Sequence, residues 1–392
     1  MLSNTMLKKL LAIAAIFFCV TFPITTRAEL ESELMAIQPN SEENINEYFL
    51  AKAISVTDKT IEGSALIPEQ KIIAEGMSGS FNGKRIEFFQ ESVYGVRQIR
   101  YVKQGDVLIL QYSNWSIPPY RVVTHYRIPQ LMVLISVFVV VVCALTARRG
   151  VRAIGALITS FVLLYTVSLP LMTHGYPPLP VLSVTACIIL LLSIFSAHGF
   201  QRKSFVAAVG GFSSIGFAAL LGSISIYFLR LNGTGVSEAS YLQFGSLAGI
   251  SLRGLLLGGI ILSTVGILDD VTTVQTVTVK EMLETNPNLT RQQLYKHAMV
   301  VGREHIISMV NTMFIVFAGS TIPIFLFYMF DSSNIPLWVK INSDEVMEEF
   351  TRSLAGSFAL VLAVPITTLL AAYVFTRPKK TLPHTEKNDI LN

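Results

Sequence analysis

The sequence predicts an α-helical polytopic membrane protein with a small extracytoplasmic all-β domain. Of the 392 residues, 52% are hydrophobic and only 14% are charged, whereas roughly a quarter of the residues in a soluble domain carry a charge. Seven apolar runs, each near the length needed to cross a bilayer, lie between residues 128 and 375. The polar region before them contains short β-branched and aromatic runs that are typical of strands.

The charge pattern and the cysteines exclude several classes of function. The formal net charge of +4 arises from basic residues at the ends of the apolar runs, so no nucleic-acid partner is indicated. The cysteines, Cys19, Cys143 and Cys187, lie in apolar runs without a CxxC partner, which indicates neither a disulfide framework nor a zinc site. Walker, dinucleotide-binding and HExxH patterns are absent. We therefore expect no cofactor, no metal and no enzymatic activity.

Residues 1–28 are interpreted as a signal peptide or an N-terminal anchor. Lys8 and Lys9 precede the apolar run at residues 10–24, and an imperfect cleavage site follows at residues 26–28. The sequence leaves cleavage open, but either alternative sends the next segment outside.

Residues 29–127 are predicted to form the extracytoplasmic β-rich domain. Turn signals such as Asn82-Gly83 separate its strand-like runs. We expect a small barrel or sandwich that acts as a spacer or an assembly module, because no cluster of histidines and carboxylates suggests catalysis. The predicted strands lie at residues 49–56, 71–74, 85–90, 98–103, 106–112 and 121–126.

Residues 128–380 are predicted to form a seven-helix transmembrane domain, with residues 381–392 as a cytoplasmic tail. By the positive-inside rule, the basic clusters at the span ends place the β domain outside a bacterial cell membrane and the C-terminus in the cytoplasm. Arg253 is the exception, near the outer face. The apolar run at residues 241–250 is interfacial or re-entrant. The predicted spans are residues 128–147, 153–172, 179–197, 204–229, 255–280, 306–330 and 354–375.

The span at residues 255–280 carries two adjacent carboxylates, Asp269 and Asp270. A carboxylate at the centre of a bilayer costs ~2.5–3.5 kcal/mol on insertion scales, so an ionisable residue there indicates a functional site by default. Two neighbouring carboxylates in a low dielectric resist double ionisation, so one of them can load and unload a proton. The alternative is that both aspartates lie solvated at the cytoplasmic interface and end a shorter helix.

The residues around the aspartates suggest how the site is built. Asp269 shares a helical face with Thr272 and Thr273, and Gln275 can hydrogen-bond the changing species. The candidate ion-coupling or substrate-pathway residues are Asp269, Asp270, Thr272, Thr273, Gln275, Arg303, Glu304, His305 and Asn311.

Small residues predict where the helices pack. Gly259, Ser263 and Gly266 form a stripe that continues to Asp270, and small residues let helix backbones approach closely in lipid. We expect this stripe to meet a neighbouring helix. A second stripe, either its partner or a feature of a generic small-residue span, consists of Gly211, Ser214, Ala218 and Gly222.

The segment before the sixth span predicts a cytoplasmic helix at residues 292–305 that runs into the membrane near Ile306. Thr290 and Gln293 form a capping-box pair at its start. Asn311, one to two turns inside, is the strongest predicted partner of the aspartates. Arg303 is a positive-inside anchor or a partner of an aspartate, and His305 fits an interfacial histidine better than a proton carrier.

Three segments resemble the YibE/F-like family of bacterial multi-pass membrane proteins. They are Gly266-Ile-Leu-Asp-Asp-Val-Thr-Thr-Val-Gln275, Gly302-Arg-Glu-His305 and Asn311-Thr-Met. The resemblance covers most of the chain and implies an architecture more than an activity. It also implies a heteromer with a shorter relative that lacks the β domain.

A weaker, fold-level likeness connects the Asp-Asp helix to resistance-nodulation-division exporters and to SecD/SecF. Seven spans instead of five follow the outer domain here, and no large porter domain exists. Such an analogy says little about substrate. The favoured hypothesis is a proton- or cation-coupled transporter or export factor. The other is a non-transporting membrane assembly or sensory protein in which the aspartates are structural.

The predicted orientation can be tested by cysteine labelling of intact cells. A cysteine at Asn82 should react with an impermeant thiol reagent from outside, whereas a cysteine at Asn286 should react only after the cells are permeabilised. Labelling of the Asn286 position in intact cells would reverse the orientation.

Overall fold

The computed structural model describes residues 46–59, 69–90, 102–116, 118–244, 249–330 and 335–376. The chain divides into two units, Met1–Val141 and Val142–Asn392. The predicted leader at residues 1–28, the tail at residues 381–392, most of the predicted strand at residues 98–103 and the middle of the run at residues 241–250 lie outside the described residues.

The first unit contains a five-stranded antiparallel sheet in the order β3-β2-β1-β4-β5. A bulge between Ala53 and Ser55 bends the long central strand, and the two edge strands contact each other, so the sheet curls into a half-barrel. The strands are β1 (Asn46–Lys59), β2 (Glu69–Gly76), β3 (Arg85–Gln90), β4 (Val107–Ser113) and β5 (Tyr120–His125). They confirm the five predicted strands that fall on described residues.

The sheet buries one of its faces, as the alternation of apolar residues requires. Ile72, Leu108 and Leu110 are fully buried beneath it. A short helical turn, Gly79–Phe81, brings Phe81 onto the ring of Phe49 with the ring centroids 4.4 Å apart. This unit therefore has a hydrophobic core of its own.

The described residues contain seven helices that are long and apolar enough to cross a membrane. They match the seven predicted spans and support a multi-pass membrane protein. They are α1 (Ile128–Thr146), α2 (Arg148–Leu163, continued by a π-helical turn at Leu164–Ser168 and by Leu169–Thr173), α3 (Pro178–His198), α4 (Arg202–Phe228), α5 (Leu252–Thr285), α6 (Arg291–Phe330) and α7 (Asp344–Phe375).

Helix α6 joins the predicted cytoplasmic helix and the sixth span into one element of 40 residues. The predicted capping box is present at its start. The Thr290 backbone N–H donates to Gln293 Oε1 at 3.0 Å, and the Gln293 N–H donates to Thr290 Oγ1 at 3.3 Å. These two contacts satisfy N–H groups that the first turn of a helix leaves without partners.

Helix α5 lies at the centre of the bundle and contacts α3, α4, α6 and α7. In the most apolar 18-residue segment of α5, 50% of the residues are buried, whereas the corresponding share for α1 is 6%. Among the described residues, the fifth span is therefore surrounded by four of the other spans.

The small residues of α4 are buried, but they pack against large side chains and not against the Gly259, Ser263 and Gly266 stripe. Gly211, Ser214, Ala218 and Gly222 are all buried. A Cβ added at Gly211 would come within 2.7 Å of Leu190 on α3, and one at Gly222 within 2.8 Å of Leu257 on α5. Glycine at these positions therefore lets α4 approach both helices closely.

The predicted packing of the Gly259, Ser263 and Gly266 stripe within the chain is wrong. Ser263 and Gly266 are exposed and Gly259 is half-buried. No atom of the described residues lies within 4 Å of a Cβ added at either glycine. Helix α5 instead turns Leu257 and Ile260 towards Gly222 of α4. Because large side chains of one helix fill the space above small residues of the other, only one of the two helices needs a small stripe.

This packing predicts that two matched Gly→Leu substitutions differ in their effect on stability. Gly222→Leu should lower the unfolding temperature, because the added side chain overlaps Leu257 and overpacking costs ~1–3 kcal/mol. Gly266→Leu should leave the unfolding temperature of the isolated chain close to wild type. Thermal unfolding in detergent measures both, and an equal loss for the two variants would contradict the assigned faces of α5.

Candidate functional site

Asp269 lies half-buried between α5 and α3. The Ser193 hydroxyl on α3 donates a hydrogen bond to Asp269 Oδ2. Sequence reasoning missed Ser193, since a single serine in an apolar helix commonly bonds its own backbone. The structure thus gives Asp269 a hydroxyl partner from a neighbouring helix.

Asp270 has different surroundings, although it is adjacent in sequence. Its side chain is exposed and lies on the same outer face of α5 as Ser263 and Gly266. Successive residues of a helix point about 100° apart, so an aspartate that faces α3 places the next one outside the bundle.

The contact between Asp269 and Ser193 lies towards one end of α3. Ser193 precedes the last residue of α3, His198, by five positions, which is about 8 Å along a helix axis. A narrow crevice between α3, α4 and α5 continues from this level, and it is too tight to admit water. Its lining residues are Ile194, His198, Lys203, Ser204, Ala207, Thr273, Thr276 and Val277.

The threonines that follow Asp269 on α5, Thr272, Thr273 and Thr276, are all buried but make different contacts. Thr272 Oγ1 donates to the Asp269 carbonyl at 3.4 Å and Thr276 Oγ1 donates to the Thr272 carbonyl at 2.7 Å, so both bond their own helix. Thr273 Oγ1 is buried and lies close enough to the Asp269 carboxylate to interact with it. Because Thr273 follows Asp269 by four positions, it stands one turn further along the same face.

Gln275 connects three helices. Its Nε2 donates to the Ala298 carbonyl of α6 at 3.1 Å and to Thr368 Oγ1 of α7 at 2.7 Å, and the side chain is 1% exposed. With its amide group engaged away from the carboxylates, Gln275 stabilises the bundle and does not touch Asp269.

Gly302 explains how α6 reaches Gln275. A Cβ added at Gly302 would lie 2.5 Å from Val364 Cγ1 and 3.1 Å from Gln275 Nε2. Two of the segments that carry the family resemblance therefore meet in space at this junction.

The remaining α6 candidates do not join the aspartates. Asn311, Arg303 and Glu304 are exposed. Within the described residues, neither Asn311 nor Arg303 forms a hydrogen bond or an ion pair with an aspartate. The predicted pairing of Asn311 with the carboxylates is therefore wrong, and of the two alternatives for Arg303 the exposed side chain fits an anchor and not a partner of an aspartate. His305 is half-buried, and its Nε2 has no hydrogen-bond partner among the described residues.

Two Gly→Ala substitutions on α6 test the junction. Alanine is favoured over glycine inside a helix by roughly 0.5–1 kcal/mol, so Gly319→Ala, with open space around its Cβ, should keep or raise the unfolding temperature. Gly302→Ala should lower it, because Val364 is β-branched and cannot easily turn aside. Thermal unfolding of the two variants in detergent is the measurement. A Gly302→Ala variant as stable as Gly319→Ala would show that α6 does not pack closely on Gln275.

Comparison with known proteins identifies the family of the helical region. No curated protein and no solved structure matches the chain, so the likeness to resistance-nodulation-division exporters remains a sequence analogy. A family model described as YibE/F-like protein matches residues 134–377. The match extends from α1 to the end of α7 and takes in the Asp269–Ser193 contact and the Gln275 junction. Because it covers more than half of the 392 residues, the chain belongs to the YibE/F-like protein family.

Proposed function

We propose that this protein is a proton-coupled transporter or export factor in which Asp269 carries the proton. The observation behind the proposal is the half-buried carboxylate of Asp269 with the Ser193 hydroxyl of a neighbouring helix bonded to it. An ionisable residue within an apolar helix indicates a functional site by default.

A hydroxyl suits a group that changes its protonation state. Ser193 can donate to an ionised carboxylate and can accept a hydrogen bond from a carboxylic acid. The contact between α3 and α5 can therefore persist while the direction of the hydrogen bond reverses. A backbone N–H could only donate and would favour the ionised form alone.

The crevice extends from the level of Asp269 to one end of the bundle. Thr273, one turn from Asp269, places a buried hydroxyl beside the carboxylate. His198, Lys203 and Thr276 continue the lining towards the end of α3. Because the crevice is closed to water, we propose that proton exchange accompanies a movement of α3 against α5.

We assign Asp270 to a different task from Asp269. An exposed carboxylate on an apolar helix is unfavourable against lipid, and the small residues Ser263 and Gly266 beside it leave room for a close helix. We propose that this face of α5 binds a helix of a shorter YibE/F-like protein. In this arrangement the β domain handles or gates an extracytoplasmic substrate at the bacterial cell membrane.

The alternative function is a non-transporting membrane assembly or sensory protein. The closed crevice beside Thr273 and the Gln275 junction across α5, α6 and α7 favour it, because both rigidify the bundle. In that case the bond between Ser193 and Asp269 is a structural contact.

Proton flux in liposomes distinguishes these functions. The chain, with and without the shorter relative, is reconstituted around a trapped pH-sensitive dye, and a potassium diffusion potential drives proton entry. Asp269→Asn should reduce the flux at least about tenfold, because an amide cannot take up the proton. Ser193→Ala should reduce it less, and Asp270→Asn should reduce co-purification of the shorter relative.

Asn311→Leu is the control, since Asn311 is exposed on α6 away from the crevice, and it should retain wild-type flux. Thermal unfolding confirms that each variant is folded. A folded Asp269→Asn variant with wild-type flux would refute proton coupling through Asp269. The absence of flux from the wild-type complex would favour the assembly or sensory role.

A further inference from the structure

A groove of about 790 Å³ opens at the end of the bundle where α3 and α5 begin and α4 ends. This is the opposite end of α3 from Ser193 and Asp269. The volume lies within the range of roughly 300–1,000 Å³ found for small-molecule sites. The lining residues are Pro177, Pro178, Leu179, Pro180, Ser223, Ile226, Tyr227, Phe228, Arg230, Ser251, Arg253, Gly254 and Leu257.

Arg230 lies in the groove at a position where a helix usually ends with glycine. The Leu231 N–H donates to the Ile226 carbonyl at 3.0 Å, and the Arg230 N–H donates to the Tyr227 carbonyl at 3.3 Å. This is the Schellman ending of α4, in which glycine commonly takes the left-handed conformation. Here Arg230 takes it, with φ of 55°. An arginine is a costly choice for this backbone conformation.

Arg253 also breaks a local rule. It is the second residue of α5, and the N-terminus of a helix carries a partial positive charge that disfavours a cation. Its Nη2 donates to Asn232 Oδ1 at 2.7 Å, which holds the guanidinium beside the end of α4. It is also the arginine that departs from the positive-inside pattern of the sequence.

Among the described residues, the two guanidinium groups give the groove a positive charge that no lining carboxylate balances. No carboxylate is among the lining residues, and among the described residues neither Arg230 nor Arg253 forms an ion pair. Residues that break local rules without a structural gain are expected at functional sites. The shared property of the two arginines is affinity for an anion, and guanidinium groups match phosphate oxygens in geometry.

The rest of the groove is apolar. Leu179, Ile226 and Leu257 contribute aliphatic walls from three helices. Tyr227 and Phe228 at its edge are 80% and 76% exposed. Aromatic residues are enriched at the level of the lipid headgroups, where one side of the ring meets lipid and the other meets water. A free phosphate would use only the arginines, whereas a lipid would use both parts of the groove.

We propose that this groove binds an anionic phospholipid, with its phosphate against Arg230 and Arg253 and an acyl chain against Leu179, Ile226 and Leu257. The site stands apart from Asp269, so it does not depend on proton coupling. It gives the end of the bundle opposite the Asp269 site a defined lipid ligand.

Native mass spectrometry of the purified full chain tests the proposal. After incubation with equal amounts of phosphatidylglycerol and phosphatidylcholine, the wild type should retain phosphatidylglycerol preferentially. Arg230→Gln and Arg253→Gln should each weaken that retention about tenfold, since each removes charge-assisted hydrogen bonds. The double variant should show no preference between the two lipids.

Arg148→Gln is the matched control, because Arg148 is an exposed arginine at the start of α2, and this variant should keep the wild-type preference. Arg230→Lys keeps the positive charge but loses the planar guanidinium group. This variant should remain folded and retain phosphatidylglycerol less strongly than the wild type but more strongly than Arg230→Gln. Inorganic phosphate at millimolar concentration should not displace the lipid. Displacement by phosphate, equal retention by the double variant and the wild type, or an equal loss in Arg148→Gln would overturn the proposal.

Discussion

The close packing of α5 against glycines of its neighbours is the constraint on which the helical unit depends. α4 approaches α5 through Gly222 and α6 approaches it through Gly302. Lipid provides no hydrophobic force between helices, so van der Waals packing and hydrogen bonds between helices must hold a bundle together. The glycines supply the packing, and Gln275 supplies hydrogen bonds to α6 and α7. These contacts bury the polar half of α5 that follows Gly266, and within the part of the chain that the structure describes Asp269 faces another helix while Asp270 does not.

Features set by local chemistry could be predicted from the sequence, whereas features set by the choice of a helix face could not. The Thr290–Gln293 capping box, the strands and the spans follow from short-range rules, and the structure contains them. The stripe through Gly259 and Gly266 looked equivalent to the stripe on α4, yet it lies on the outer side of α5. Small residues indicate that another helix can pack closely on that face, but they do not identify which helix does so. Ser193 was missed for a related reason, because its role depends on the rotation of α3 about its axis.

The different surroundings of Asp269 and Asp270 change the chemistry expected of the pair. Carboxylates that share one pocket raise the cost of each other's charge and titrate together. Asp269 has a hydroxyl partner within the bundle, and Asp270 is exposed on its outside. Proton binding and partner binding, as proposed, therefore use different faces of α5, and the assembly of a heteromer can affect the proton site through a single turn of this helix. A mutation at one aspartate need not imitate a mutation at the other.

The two ends of the bundle present opposite kinds of polar site. Near one end, the carboxylate of Asp269 stands above a crevice too tight for water. At the other end, Arg230 and Arg253 face an open groove with apolar walls. Helix α5 contributes to both, since Arg253 and Asp269 lie on the same continuous helix, and α3 lines both through Leu179 and His198. A ligand that draws the ends of α3, α4 and α5 together at the groove would act on the same pair of helices that holds the Ser193–Asp269 contact. If proton exchange needs α3 to move against α5, occupancy of the groove is positioned to favour one arrangement of these helices over the other.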